Sequence, residues 1–429
     1  MTTLLQRRWF KRGLPAPKRG PQVRLAAPMT RRRTGLRFTE ILVLFTLGVA
    51  YLESVSQPVF GIQLHLTLLN HFPLALLVPA LALHLMSLLV NRASPPWAAI
   101  FSACWPLVLL ACYALVGSSI AKWELTERDT FLTFAVYLLL LPLFAAAVPA
   151  QPDRLRGWAL ALVTLWLLAS LAALTGEAAR YTLKETLHEI EYLVTVGFFV
   201  TYYAVRVAWL RLLVLLAMAA ALGLNNKLTG YIVGAMALLH ILVSIGWRRL
   251  PREWRAAYGV AAAVFTAAVV AALTMLYFTY REYLPSGNVA VRLSQYQEAW
   301  RQFLASPLWG NAYLANSGEA YTESFRVLNI PTHSDVLDIL KHGGLIGLAL
   351  FCWGYGKIFL AIHRAVAATE SNTLLNAYFV GLRFFQVTAL VTFAINPILL
   401  KGPFLIVIWG NLGIGLGMAL TATRAVRER

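Results

Sequence analysis

His333 stands between Thr332 and Ser334, with Asp335 and Asp338 following, at the mouth of a long apolar run that begins near residue 338. An imidazole held where membrane meets water can take a proton from a hydroxyl near neutral pH, which few other side chains do without a large pKa shift. The segment reads as a membrane-embedded active site with His333 as the general base. The competing reading is a helix-start His that bonds only backbone. Asp335 also has a second role open to it, because Thr332-x-x-Asp335 fits a capping box that satisfies the free amides of a first helical turn. Asp338, one turn on, is placed to orient His333 or to bind sugar, with capping and solvation as alternatives.

The elements that position these residues are membrane helices. With 59% hydrophobic and 13% charged residues over 429 positions, the chain cannot build a soluble surface, so most apolar residues must face lipid or other helices. Apolar runs of about twenty residues give about twelve spans. They centre near 38–55, 62–90, 98–118, 131–149, 157–174, 189–205, 210–224, 228–246, 257–280, 338–362, 375–395 and 404–421.

Charge supports that count. The first 37 residues carry eleven basic side chains and no acidic one, which predicts a cytoplasmic N-terminus. Alternation then puts Arg154 and Arg156, Arg206 and Arg211, the cluster Arg248, Arg249, Arg252 and Arg255, and the tail Arg424, Arg427 and Arg429 on the inside. One missed span would break that agreement. The formal charge of +18 is therefore read as positive-inside topology and contact with anionic headgroups rather than as a nucleic-acid surface. The Pro- and Arg-rich arm shows no small-residue cleavage site after a short apolar core and is not read as a cleavable signal. Cys104, Cys112 and Cys352 lie in apolar runs without ligand spacing and read as small buried hydrophobes. No phosphate loop, zinc pattern or internal repeat is visible, which argues against a nucleotide- or metal-driven pump.

The expected organisation is a basic cytoplasmic arm over 1–37, spans one to nine over 38–280, an exported loop over 281–332, spans ten to twelve over 333–421 and a cytoplasmic tail over 422–429. Within the loop, Val289 to Ala305 reads as an amphipathic helix with Val291, Tyr296, Trp300, Phe303 and Leu304 broadly on one side. Ser306-Pro307-Leu308-Trp309-Gly310 then ends it.

Arg292, Trp300, Ser-Pro-Leu-x-Gly at 306–310, His333-Ser-Asp, and Gly343-Gly-x-x-Gly347 occur in that order. The series resembles the large exported loop of the O-antigen ligase and O-antigen polymerase (WaaL/Wzy-like) superfamily, over about a seventh of the chain. The resemblance implies an all-α polytopic membrane protein of about twelve transmembrane helices with one large periplasmic loop, GT-C-like, in a bacterial inner membrane. It implies transfer of a glycan from an undecaprenyl-pyrophosphate carrier to an acceptor hydroxyl at the periplasmic face, without cofactor or metal. The implied partners are that lipid-linked donor, a glycan or lipid-linked acceptor, membrane lipids and envelope polysaccharide assembly proteins, with no nucleic acid.

The resemblance also assigns roles. His333 takes the acceptor proton, and Arg292 offers a planar fork of donors to the pyrophosphate, with a solvated helix face as the equal alternative. Arg301, nine residues on, is the weaker choice. Where the family has Ser-Arg at the outer end of an earlier span, this chain has Asn226-Lys227, so Lys227 would serve as a point charge rather than a fork. Arg383, with Gln386 one turn away, sits inside the eleventh span, where a charge marks a cavity or braces a broken helix. Lys401, between Pro397 and Pro403, would add another outer cation.

Three other classes fit a chain of this composition. A transferase using a polyprenyl-monophosphate sugar would place acidic residues in the first exported loop, where this chain has only Glu53. A flippase would line a central path with broken helices and charge. A structural envelope subunit is the third. Within the preferred class, Lys227 and the divergent loop favour a polymerase of exopolysaccharide or O-antigen repeats over a ligase acting on lipid A core.

Overall fold

A computed structural model describes residues 36–59, 72–91, 95–120, 125–181, 191–224, 228–249, 251–254, 257–258, 261, 264, 286–311, 320–322, 325–327, 332, 334–395 and 402–428. The N-terminal arm up to Gly35, most of the expected span 257–280, and His333, Lys227 and Lys401 lie outside the described residues.

The described chain is built from helices α1 (Phe38–Val59), α2 (Phe72–Val90), α3 (Trp97–Ile120), α4 (Leu125–Ala147), α5 (Leu155–Tyr181), α6 (Glu191–Ala204), α7 (Ala208–Leu224) and α8 (Leu228–Arg249). There follow α9 (Ser286–Ala305), α10 (Asp335–Ala368), α11 (Thr373–Ile395) and α12 (Gly402–Arg427). Each expected span other than 257–280 thus has a helical counterpart, and the amphipathic loop helix is α9. Between α9 and α10 the strands β1 (Ala320–Thr322) and β2 (Phe325–Val327) form an antiparallel hairpin that hydrophobic patterning does not announce.

Long apolar runs become helices because hydrocarbon offers no partner to backbone amides, which must then be satisfied within the segment. Among the described residues, five stretches are long and apolar enough to cross a membrane by themselves: Trp97–Ile120, Pro152–Ala172, Asp335–Ala368, Thr373–Ala394 and Leu405–Arg427. Shorter apolar stretches lie in α1, α2, α4, α7 and α8. The chain is a multi-pass membrane protein by this measure.

Helix α12 runs through the centre, with Leu405 to Ala419 buried without interruption. Its glycines let α4 come close, as a Cβ on Gly413 would lie 2.5 Å from the Leu141 carbonyl oxygen and one on Gly417 2.3 Å from that of Ala145. Without a hydrophobic drive between helices in lipid, such backbone approach is a main source of packing energy. Trp166 of α5 donates its indole N–H to Tyr51 of α1 and to Asn411 of α12, and its ring stacks on Tyr378 and Phe385 of α11.

Cross-helix bonds sort the helix ends. The start of α1, the ends of α2 and α4 and the start of α5 meet where Arg154 pairs with Glu40 at 2.6 Å and His84 bonds the Ala147 carbonyl at 2.7 Å and Thr39 at 2.9 Å. Helices α3 and α10 run antiparallel, since Lys357 donates to the Ser102 carbonyl near the start of α3 while Tyr113 near its end donates to Trp309 ahead of α10.

The Glu40–Arg154 pair is buried on both sides. Removing one partner strands the other charge, which typically costs about 3–5 kcal/mol, whereas replacing both with apolar groups is often neutral. Arg154→Ala should lower the thermal midpoint in detergent, and Glu40→Met with Arg154→Leu should recover most of the loss. Equal midpoints for wild type and Arg154→Ala would show that the pair does not hold these helices.

Candidate active site

The first turn of α10 is capped by Ser334, whose hydroxyl accepts from the Leu337 amide at 3.4 Å in an extended backbone conformation. The expected box Thr332-x-x-Asp335 is therefore corrected. Asp335 is already the first helical residue, and the carboxylate that reaches back belongs to Asp338, which accepts from the Thr332 amide at 3.2 Å. Thr332 in turn donates its hydroxyl to the Ser334 carbonyl at 2.8 Å. The cap uses the Ser because its side chain is short enough to reach the third amide, and Asp338 closes the turn from one step further on.

Asp338 also faces Lys341 at 3.4 Å, and both side chains are buried. The same Asp338 oxygen takes the Thr332 amide and the Lys341 ammonium, while its second oxygen is buried with no hydrogen-bond partner among the described residues. Burying a lysine and an aspartate in one helical turn is costly, and such buried charge tends to mark a functional site. Lys341 is a cation that the sequence reading passed over. Its signal was available as Asp338-x-x-Lys341, a charged pair inside an apolar run.

Helix α10 is broken at Gly344, whose φ of 62° and ψ of −162° are open to glycine alone. The break frees backbone groups on both sides, and the turn after α9 satisfies them. Leu345 and Ile346 donate to the carbonyls of Pro307 (2.9 Å) and Leu308 (3.2 Å), while Asn311 donates to that of Lys341 at 3.0 Å. Gly310, also at a φ of 62°, faces Gly344 backbone to backbone. The Asn311 side-chain oxygen meets His342 Nδ1 at 2.7 Å. Ser-Pro-Leu-x-Gly and Gly-Gly, met in the sequence as separate motifs, are thus the two halves of one clasp. It fixes the loop to the short segment 335–343 that carries Asp338 and Lys341.

On α9 the buried stripe is Gln295, Ala299 and Phe303, whereas Trp300 and Leu304 are exposed. The expected apolar side is corrected accordingly. Trp300 and Leu304 near the end of α9, and Leu308 and Trp309 in the turn that follows, are instead all exposed. Arg292 is half-buried and continues the inward stripe toward the start of the helix, at i−3 and i−7 from Gln295 and Ala299. Arg301 points to solvent and holds both oxygens of Glu298, at 2.8 and 2.6 Å. That guanidinium keeps the Glu298 carboxyl below its usual range, against partial burial.

The structure therefore brings Asp338, Lys341, His342 and Asn311 to one place, with Asp335 alongside, whereas Arg292 lies 13 residues before the end of α9, about 20 Å of helix away from the clasp. Arg383 does not join them. It contacts His363, about 25 residues beyond Asp338 on α10, roughly 35 Å of helix.

Residues 192–352 match the family model described as O-antigen ligase (Wzy_C). The match runs from α6 through the break in α10, so it contains Lys227, Arg292, Arg301, His333, Asp335 and Asp338 and ends before Arg383 and Lys401. No curated protein matches the chain. The clasp and the break at Gly344 lie inside the matched stretch, so it is the part of the chain holding the interlocked loop that is similar to the O-antigen ligase family.

Proposed function

We propose that this protein transfers a glycan from an undecaprenyl-pyrophosphate carrier to an acceptor sugar hydroxyl at the outer face of the bacterial inner membrane, polymerising exopolysaccharide or O-antigen repeat units. The observation that supports it best is the buried Asp338–Lys341 turn, clasped to an interfacial loop within a stretch that matches the O-antigen ligase family.

In this reading His333 takes the acceptor proton as the hydroxyl oxygen attacks the anomeric carbon and the bond to the pyrophosphate oxygen breaks. Asp338 holds the amide of the residue just before His333, and its second oxygen is the natural acceptor for an imidazole N–H. That contact would set the tautomer so that the other ring nitrogen faces the hydroxyl. The leaving pyrophosphate gains negative charge, which Arg292 meets with its fork and Lys341 with a buried point charge. Lys227 and Lys401 are further outer cations in this scheme. Asp335 serves the first turn of α10 rather than the chemistry. Arg301, engaged by Glu298, contributes little. The exposed Trp300, Leu304, Leu308 and Trp309 give the carrier's polyprenyl chain an apolar approach.

Arg292→Ala should reduce turnover more than apparent donor affinity, because the charge it meets develops in the transition state. Arg292→Lys should recover only part of the loss, since an ammonium restores charge without the two-pronged contact. Kinetics in which only apparent affinity changes would remove Arg292 from the leaving-group role. Polymerase and ligase are separated by the glycan that accumulates on deletion of the gene. Single repeats at the surface are expected for a polymerase, and long carrier-linked polymer would make the protein a ligase.

A further inference from the structure

Arg383 lies far from the site above, and its surroundings have a chemistry of their own. Its guanidinium contacts His363 Nδ1 of α10 at 3.2 Å and His240 Nε2 of α8 at 3.3 Å. A guanidinium has no acceptor, so each imidazole must present a bare nitrogen to it and carry its proton on the other. For His240 that proton, on Nδ1, meets the Tyr203 hydroxyl of α6 at 3.0 Å, and Tyr203 donates onward to Ser244 at 3.0 Å. For His363 the outward Nε2–H is left on an exposed ring. The cluster therefore ends in donors: the remaining guanidinium N–H groups and an imidazole N–H.

Among the described residues, no carboxylate pairs with it. The sequence has no Asp or Glu between Glu191 and Glu253, between Asp338 and Glu370, or between Glu370 and Glu428, so the spanning parts of α6, α7, α8, α10, α11 and α12 cannot supply a carboxylate. The neighbours add positive charge. Arg211 lies over the Tyr202 ring at 5.5 Å, Arg206 reaches Thr373 at the start of α11, and Arg364 follows His363.

The depth is set by Lys357. It donates to Ser102 near the start of α3 and sits over Trp105 and Trp353 at 5.8 and 5.7 Å, the pattern of a snorkelling lysine in an aromatic belt. His363 is about two turns further toward the end of α10, roughly 9 Å. His363 thus lies level with headgroup phosphates, on the side opposite the clasped loop, and Arg383, ten residues into α11, extends its guanidinium to it from within the span.

We infer that Arg383, His363, His240 and Tyr203 form a binding site for the phosphate of an anionic phospholipid headgroup in the leaflet opposite the transfer site. A phosphate oxyanion accepts from the guanidinium and from His363 Nε2–H and supplies the negative charge that the surrounding helices lack. Its role is to lock α8, α10 and α11 together where Arg383 bridges His240 and His363. The inference does not depend on the glycan-transfer reading.

The test uses the full-length protein in non-ionic detergent, titrated with phosphatidylglycerol, phosphatidylcholine or inorganic phosphate and followed by native mass spectrometry. Wild type should bind one phosphatidylglycerol selectively over phosphatidylcholine. Arg383→Gln should weaken that binding by about tenfold or more, the usual scale for losing a charge-assisted contact, and Arg383→Lys should recover part of it. His363→Ala, on the surface, should weaken it severalfold with little risk to folding. Equal phosphatidylglycerol binding by wild type and both loss variants would overturn the site. Displacement of the lipid by equimolar inorganic phosphate would also overturn it, by showing that a soluble anion is the ligand.

Discussion

His333→Ala should abolish glycan transfer while leaving the folded protein intact. General-base assistance is typically worth about two to four orders of magnitude in rate. The residue precedes the Ser334 cap and is not needed to close the first turn of α10, which is held by Ser334 and Asp338. The loss should therefore appear in turnover and not in thermal midpoint. Asp338→Asn separates the base from its support: it keeps an acceptor for the Thr332 amide but removes the charge beside Lys341, so activity should fall less than in His333→Ala. Near-wild-type turnover of purified His333→Ala across neutral pH would eliminate this residue as the base.

Gly344→Ala should have the largest effect on the architecture of the site. A Cβ there would lie 2.4 Å from the Leu308 carbonyl oxygen and 2.5 Å from the Gly310 amide nitrogen, both backbone atoms with no flexible tip to move aside. The φ of 62° with ψ of −162° is closed to alanine as well. The clasp would open, and the bonds from Leu345, Ile346 and Asn311 would be lost with it. The expected cost is about 3 kcal/mol or more, from strain and unsatisfied buried amides. Transfer should be lost together with protection of the loop from limited proteolysis near residue 310. Unchanged protease resistance with lost activity would show that the glycine serves the chemistry directly.

Those two residues show what could be read from the chain alone. The apolar runs specify helices almost without ambiguity, because lipid leaves the backbone no other way to satisfy itself, and boundaries such as 375–395 against Thr373–Ile395 differ little. Capping was harder: Thr332, Ser334, Asp335 and Asp338 are all competent in type, and only the extended backbone at Ser334 decides between them. The break at Gly344 was hidden because a pair of glycines in an apolar run is compatible with a continuous membrane helix. It became necessary only through Pro307 and Leu308, more than thirty residues earlier. The α9 stripe was misjudged for a related reason. Trp300 and Leu304 are the most apolar residues of their turns, yet beside a membrane an apolar side chain gains as much from lipid as from protein. Hydrophobicity there does not report which face meets α10. Lys341 is only weakly announced by its neighbours, because a lysine at the start of an apolar run reads equally well as a snorkelling interfacial residue.

The most direct test is reconstitution of the purified protein in liposomes with an undecaprenyl-pyrophosphate-linked glycan and an acceptor glycan, in the presence of a chelator, with release of undecaprenyl pyrophosphate followed alongside product. Wild type should form the glycosidic product with one carrier released per transfer, and His333→Ala should form none. Carrier and acceptor left unchanged by the wild-type protein, or transfer that proceeds only with an added divalent metal, would contradict the account.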